Sequence, residues 1–234
     1  MTERLPIYRK PISRAIKIIL DRTLSLIAII MLSPILLIAA IGIKVSSKGP
    51  VFYKAKRMGK DCKVLIIYKF RTMKVGADKE GAITAAHDAR IFPWGELLRK
   101  TKIDELPQLI NILMGTMSII GPRPEDIGIV NMYYTEEEKR TLEVLPGLAC
   151  PGSIFNYTHG DQYLKDEGTY EAYANEFLHK KLALDLYYLK NWTLTYDISI
   201  VIRTIKAILI ISLSGKQMDY PIEYKECFAK LTER

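Results

Sequence analysis

From Thr23 to Ile43 the chain carries no charged side chain, and a proline, Pro34, interrupts that run near its middle. About 20 apolar residues in a helix are enough to cross a hydrocarbon core of roughly 30 Å. The run is too long and too far from the N-terminus for a typical signal peptide. Pro34 removes one helix hydrogen bond and kinks the chain, while the Ser33 hydroxyl beside it can bond the carbonyl set free. Basic residues stand on both sides: Arg4, Arg9, Lys10, Arg14, Lys17 and Arg22 before, and Lys44, Lys48, Lys54, Lys56, Arg57 and Lys60 after. The positive-inside rule draws a basic flank to the cytoplasm, and here it draws both. A re-entrant helix that breaks at Ser33–Pro34 and returns to the same face satisfies both signals. A kinked transmembrane helix stands equal to it on physical grounds, because prolines are tolerated in spans. Residues 1–22 read as a basic amphipathic lead-in on the headgroups.

A chain of 234 residues is long enough for one good core, so one domain plus a membrane element is expected. Lysines and arginines outnumber acidic residues 34 to 26, a net charge of +8. That charge suits anionic headgroups, nucleotide phosphates or nucleic acid without choosing among them. Cys62, Cys150 and Cys227 show no metal-ligand spacing, which points to free thiols in a reducing compartment.

The densest chemistry lies between Leu98 and Pro124, LRKTKIDELPQLINILMGTMSIIGPRP. Ile103, Leu106, Leu109, Ile110 and Leu113 recur at helical spacing and predict a buried helix face, with Pro107 in its first turn. Asp104 and Glu105 then sit at or just before a helix N-terminus, where the dipole favours negative charge. An isolated acidic pair would do no more than support the helix start. Here Arg99, Lys100 and Lys102 precede the pair, and Arg123 follows between Pro122 and Pro124. Carboxylates beside fixed cations are what a site for Mg²⁺ and phosphates requires.

On either side the pattern is coarser. Val51–Tyr53 and Val64–Tyr68 read as short strands joined by a polar loop at Arg57–Asp61. The second strand runs into KFRTM, where Lys69 and Arg71 are candidates for a bound phosphate or for a solvated basic edge. Lys74–His87 reads as a loop. His87, His159 and His179 are each expected to face solvent. Thr135 and Glu138 form a capping-box pattern, and Pro146–Gly147 ends the helix that follows it. Leu148–Ser153 reads as a loop able to touch a sugar or nucleotide, and Tyr163–Lys190 as broadly helical. Asp197–Leu213, interrupted by Arg203 and Lys206, predicts an interfacial helix with snorkelling cations or a core helix.

Three motifs in one order, GPVFYKAKRMGKD with YKFRTM, DELPQLINILMGTMSIIGPRP, and the Pro146–Gly147 turn, resemble the bacterial sugar transferases, the monotopic phosphoglycosyl transferases. The resemblance spans residues 14–147 well and the remainder loosely. It departs at Leu148–Ser153, where the family commonly has a Gly-Thr-type loop. It implies a mostly helical α/β monotopic membrane protein, with a re-entrant helix within residues 1–45 broken at Ser33–Pro34 and a catalytic domain over 46–234. It also implies transfer of a sugar-1-phosphate from a UDP-sugar to polyprenyl (undecaprenyl) phosphate with release of UMP. On this likeness Asp104 attacks phosphorus and also holds Mg²⁺, while Glu105 assists the arriving lipid phosphate. Lys69, Arg71, Arg99 and Arg123, with Pro122 and Pro124, hold the phosphates. The implied partners are the two substrates and membrane lipids, with no nucleic acid and a homodimer left open. The implied location is the cytoplasmic face of the bacterial inner membrane. A non-catalytic, membrane-associated basic binding protein would explain charge and hydrophobicity but not the acidic pair or GPRP.

Overall fold

A computed structural model describes residues 4–77, 88–163, 173–214 and 218–232. His87, part of the Lys74–His87 segment and part of Tyr163–Lys190 therefore lie outside the described residues. The short helix α1 (Pro6–Arg9) precedes a helix of 36 residues, α2 (Pro11–Ser46). At 1.5 Å per residue α2 is about 54 Å long. Among the described residues it is the one helix long and apolar enough to cross a membrane. Pro34 lies inside it without ending it. The Ser33 hydroxyl donates to the Ile30 carbonyl at 2.8 Å, the carbonyl four residues before the proline.

The globular part packs along much of α2. Near its start, Lys17 donates to Asp197 at 2.7 Å and Asp21 accepts from Ser118 at 2.6 Å. Asp197 is further held by Tyr188 at 2.7 Å and by the Trp192 indole at 3.3 Å. In the middle, Ala28, Ile29 and Leu32 pack on Leu109, Ile112 and Met117. Beyond Pro34, Ala39 and Ile43 are buried against Phe70, Phe92 and Leu98. The Phe92–Pro93–Trp94 step opens helix α3 (Pro93–Lys100), and the Trp94 indole donates to the Ala39 carbonyl at 3.3 Å. The opposite side of α2, including Ile16, Leu24, Ile30, Met31, Ile38 and Val45, is exposed.

The strands form two separate pairs, so helices carry the architecture. β1 (Phe52–Met58) and β2 (Val64–Phe70) are antiparallel, with Phe52 opposite Phe70 and Met58 opposite Val64. Both outrun the strands expected from sequence, because the basic stretch Lys54–Arg57 stays in the ladder and the turn moves to Gly59–Lys63. Helix α4 (Gln108–Leu113) is followed by β3 (Ser118–Ile120). Helix α5 (Ile127–Tyr133) then leads to β4 (Gly147–Ala149), which runs parallel to β3. Here Gly121 and Gly147 touch backbone to backbone: a Cβ on Gly147 would lie 2.1 Å from the Gly121 nitrogen. The Gly147 amide donates to the Pro122 carbonyl at 2.8 Å. The GPRP and Pro–Gly motifs are thus two halves of one junction.

Three expectations need correction. The buried face of α4 is Gln108, Leu109, Asn111 and Ile112, whereas Ile110, Leu113 and Met114 are exposed. Leu148–Ser153 is not a loop: it comprises the end of β4 and the start of helix α6 (Pro151–Tyr163). His159 does not face solvent. It is 2% exposed, and its ring stacks on Tyr220 at 4.0 Å. His179 is exposed, as expected, and bonds Glu138 at 2.6 Å. The Thr135–Glu138 capping box forms as read, with amide bonds of 2.8 and 3.3 Å, although the turn it opens is 3₁₀.

A π-helical turn (Tyr173–Leu178) runs into α7 (His179–Lys190), and α8 (Leu194–Ser214) and α9 (Ile222–Thr232) complete the described fold. Arg203 is no snorkelling cation, because its guanidinium forks onto Glu223 of α9 at 2.7 and 2.9 Å. On α8, Ile198, Ile202, Ile205, Leu209 and Leu213 recur at helical spacing and are exposed, giving an apolar outer stripe.

Candidate active site

Lys102 ends the approach from α3 in the left-handed region, at φ 59°. That conformation costs a non-glycine residue about 1–2 kcal/mol. It turns the chain sharply into the 3₁₀ turn Ile103–Glu105, which runs on into α4. The two carboxylates leave this turn in different environments. Asp104 is 8% exposed, and its Oδ1 has no hydrogen-bond partner. Burial and the neighbouring Glu105 charge push its carboxyl up, against the pull of Lys69, Lys102 and Arg99.

Glu105 is the opposite case. Arg123 forks onto it, with Nη1 on Oε2 at 2.9 Å and Nη2 on Oε1, and the Lys69 ammonium lies 3.5 Å from Oε1. Burial alone would raise its carboxyl. The Arg123, Lys69 and Lys102 charges outweigh burial and hold it well below the usual carboxylate range. Burial pushes the Lys69 ammonium down, and Glu105 pulls it back. Pro122 and Pro124 bracket Arg123, and Pro122 is pinned through its carbonyl to Gly147.

The structure thus gathers Lys69, Asp104, Glu105 and Arg123. Arg99, at the end of α3, reaches Asp104 through its charge across space. Arg71 is not part of the cluster. It is 5% exposed, and its guanidinium bonds the Pro50, Ser47 and Met73 carbonyls and the Ser47 hydroxyl at 2.6–3.1 Å. It locks the exit from α2 to the sheet, so the expectation that it lies beside a phosphate is corrected. Arg71 stands one residue beyond β2, where its amide still bonds the Val51 carbonyl at 2.8 Å next to the Ser47–Pro50 exit from α2.

Other residues around the cluster were not legible as part of it. The Lys102 ammonium sits 4.6 Å over the Tyr157 ring, whose hydroxyl donates to the Lys100 carbonyl at 3.0 Å. Glu125, next after GPRP, accepts from Tyr173 at 2.7 Å and from Lys181. Burial alone would raise the Glu125 carboxyl, but Lys181 and Tyr173 draw it down to about 2. Asp185 accepts the Gly152 amide at 2.9 Å at the start of α6. A cavity of about 230 Å³ opens from Lys102, Glu105 and Arg123 between α6 and α8, walled mainly by apolar side chains such as Leu106, Ile154 and Ile205. Leu148, Ala149 and Ser153 of the divergent segment also line it.

No group of three or more His, Cys, Asp or Glu able to hold a metal occurs among the described residues. Mg²⁺ does not need one, since it is commonly held by one or two carboxylates together with substrate phosphates and water. Asp104, with its unpartnered Oδ1, fits that mode, whereas both oxygens of Glu105 are taken.

Comparison with known proteins gives the family. The profile of the bacterial sugar transferase family matches residues 12–210. A UDP-glucose:undecaprenyl-phosphate glucose-1-phosphate transferase of Escherichia coli is 35% identical over 86% of this chain and 42% of its own length. A UDP-N-acetylgalactosamine-undecaprenyl-phosphate N-acetylgalactosaminephosphotransferase of Aeromonas hydrophila is 38% identical over 85% of this chain and 45% of its own. The chain therefore spans less than half the length of these two relatives. An exopolysaccharide production protein of Rhizobium leguminosarum is 37% identical over 77% of this chain and 88% of its own length. With the Asp104–Glu105 turn, the GPRP junction and the profile match in the same stretch of chain, this protein belongs to the bacterial sugar transferase family.

Proposed function

We propose that the protein transfers a sugar-1-phosphate from a UDP-sugar to undecaprenyl phosphate and releases UMP. The observation that carries this reading is the division of labour between adjacent carboxylates: Asp104 is buried with a free oxygen, and Glu105 is saturated by two cations. An Asp104 oxygen attacks the phosphorus bonded to the sugar, and the bond to UMP breaks. An oxygen of the lipid phosphate then attacks the same phosphorus and displaces Asp104. Two easier steps replace one in which phosphate must approach diphosphate directly. Mg²⁺ held by Asp104 would neutralise diphosphate charge. Lys69 and Arg123 present cations to the phosphates, with Arg99 adding charge from α3. Glu105 serves the lipid phosphate through the cations it orients rather than as a strong base, since it stays ionised. The apolar cavity beside this charged end suits the lipid acceptor, and the relatives' names supply both substrate classes.

The same reading places the chain on the cytoplasmic face of the bacterial inner membrane. On this reading α2 enters the membrane, bends at Ser33–Pro34 and returns to the same face; what supports it is that residues on both sides of Pro34, and the middle at Ala28–Leu32, pack on one globular body. A helix crossing the bilayer would carry its middle away from that body. The exposed apolar faces of α2, α4 and α8 then lie in lipid.

Two experiments test these points. Purified protein in lipid discs, given a panel of UDP-sugars, undecaprenyl phosphate and Mg²⁺, should release UMP with at least one donor. Absence of release with every donor, while oligonucleotides bind with steep salt dependence, would favour the basic binding protein instead. For topology, cysteines introduced at Tyr8 and at Lys60 should be equally shielded from an impermeant thiol reagent in intact cells. Labelling at position 8 alone would establish a full crossing.

A further inference from the structure

One buried group beside the reacting carboxylate has no structural employment. From Ile103 to Leu113 the backbone is helical throughout: Leu106 and Pro107, between the 3₁₀ turn and α4, have right-handed angles, and Leu109 and Ile110 bond back to Leu106 and Pro107 at 3.0 and 3.1 Å. Asp104, Gln108 and Asn111 therefore share one face at i, i+4 and i+7. All three are buried, at 8%, 0% and 1% exposure. Their side chains are treated very differently. Asn111 donates to the Ile66 carbonyl at 2.7 Å and accepts the Tyr68 amide at 3.0 Å, fastening α4 to β2. Gln108, one turn nearer the reacting end, has neither its Nε2 nor its Oε1 bonded, and the Asp104 Oδ1 beyond it is also unbonded.

A buried amide with both ends unsatisfied is costly, and an apolar residue of the same shape would remove that cost. Its two neighbours on that face are Asn111, clamped to β2 at Tyr68, and Asp104, which is followed by Glu105 beside Lys69. We infer that Gln108 is a substrate-binding residue of this centre, a neutral hydrogen-bonding partner for the phosphosugar that Asp104 receives. Its Nε2 donates to a phosphoryl oxygen, and its Oε1 accepts from a sugar hydroxyl or a bound water. A neutral amide suits this position because Lys69 and Arg123 already supply the charge, and another cation would hold the phosphoryl group too tightly for the second transfer. The inference rests on the phosphotransfer reading above.

The test uses the full chain in lipid discs, with UDP-sugar and no acceptor, so that only the first transfer is observed. Gln108→Met keeps the shape and removes both hydrogen-bonding atoms. Its thermal unfolding midpoint should equal or exceed that of the parent, while single-turnover UMP release at saturating donor falls by about 10–100-fold, the size of a lost hydrogen bond to a charged group. Affinity for UMP alone, measured by competition, should be unchanged, because Gln108 touches the transferred sugar phosphate and not the nucleotide. Gln108→Asn keeps the amide but withdraws it by one methylene, and should show the same loss even if the methionine variant does not fold. UMP release at the parent rate in either folded variant overturns the inference and leaves an ordered water as the partner of Gln108. A parent that releases no UMP from any donor overturns the phosphotransfer reading and this inference with it. An active parent with equally active variants overturns this inference alone.

Discussion

Asp104→Asn is expected to bring UMP release down by on the order of 10⁴-fold or more, the scale seen when a nucleophile is removed from a preorganised site. The substitution is nearly isosteric, and the Oδ1 it alters has no partner to lose, so the fold should remain intact. Membrane association and the thermal midpoint should therefore match the parent. The same carboxyl should also shape the pH profile. Burial and the Glu105 charge raise it above its ordinary value of 3.8, and attack requires the ionised form. Activity should thus be lost as pH falls through a limb lying above 3.8. Parent-like turnover in Asp104→Asn would remove the covalent step.

Glu105→Gln should slow overall turnover by on the order of 10²–10⁴, for a reason that the geometry makes specific. Removing the charge leaves the half-buried Arg123 and Lys69 without their shared counterion. Both cations then lose their aim at the phosphates. The variant should nevertheless load Asp104 in a single turnover, because the nucleophile is untouched. Because the Glu105 charge helps to raise the Asp104 carboxyl, the acidic limb should move to lower pH in this variant if Asp104 governs it. Loss of that limb would make Glu105 the titrating base.

Both expectations depend on neighbours that the sequence displays unevenly. The Asp104–Glu105 turn and the GPRP segment were legible because each is contiguous and built from residues with strict backbone demands. The Ser33 bond beside Pro34 and the Thr135–Glu138 box were legible because they act over three residues. The fork of Arg123 on Glu105 spans 18 positions, and the Glu125–Lys181 pair spans 56. No local period announces either. The error at α4 has a different physical origin. An apolar stripe marks the inward side of a helix when the outside is water. Where a helix also presents apolar residues outward, as Ile110, Leu113 and Met114 do, periodicity no longer separates core from surface. Two of the residues that face inward, Gln108 and Asn111, are polar: Asn111 clamps β2, and Gln108 is the amide inferred above to meet the phosphosugar. Arg71 misled for a related reason: a cation at a strand end looks alike whether it awaits a phosphate or fastens four backbone and hydroxyl oxygens.

The central claim is that the sugar phosphate passes through a covalent bond to Asp104. It is tested most directly by the intact mass of the purified protein after incubation with its UDP-sugar and Mg²⁺ in the absence of lipid acceptor. The account predicts a mass increase of one sugar phosphate, equimolar with the UMP released, mapping to Asp104 and discharged on addition of undecaprenyl phosphate. UMP release that requires the acceptor and leaves the protein mass unchanged, or an adduct that maps to Glu105, would contradict it.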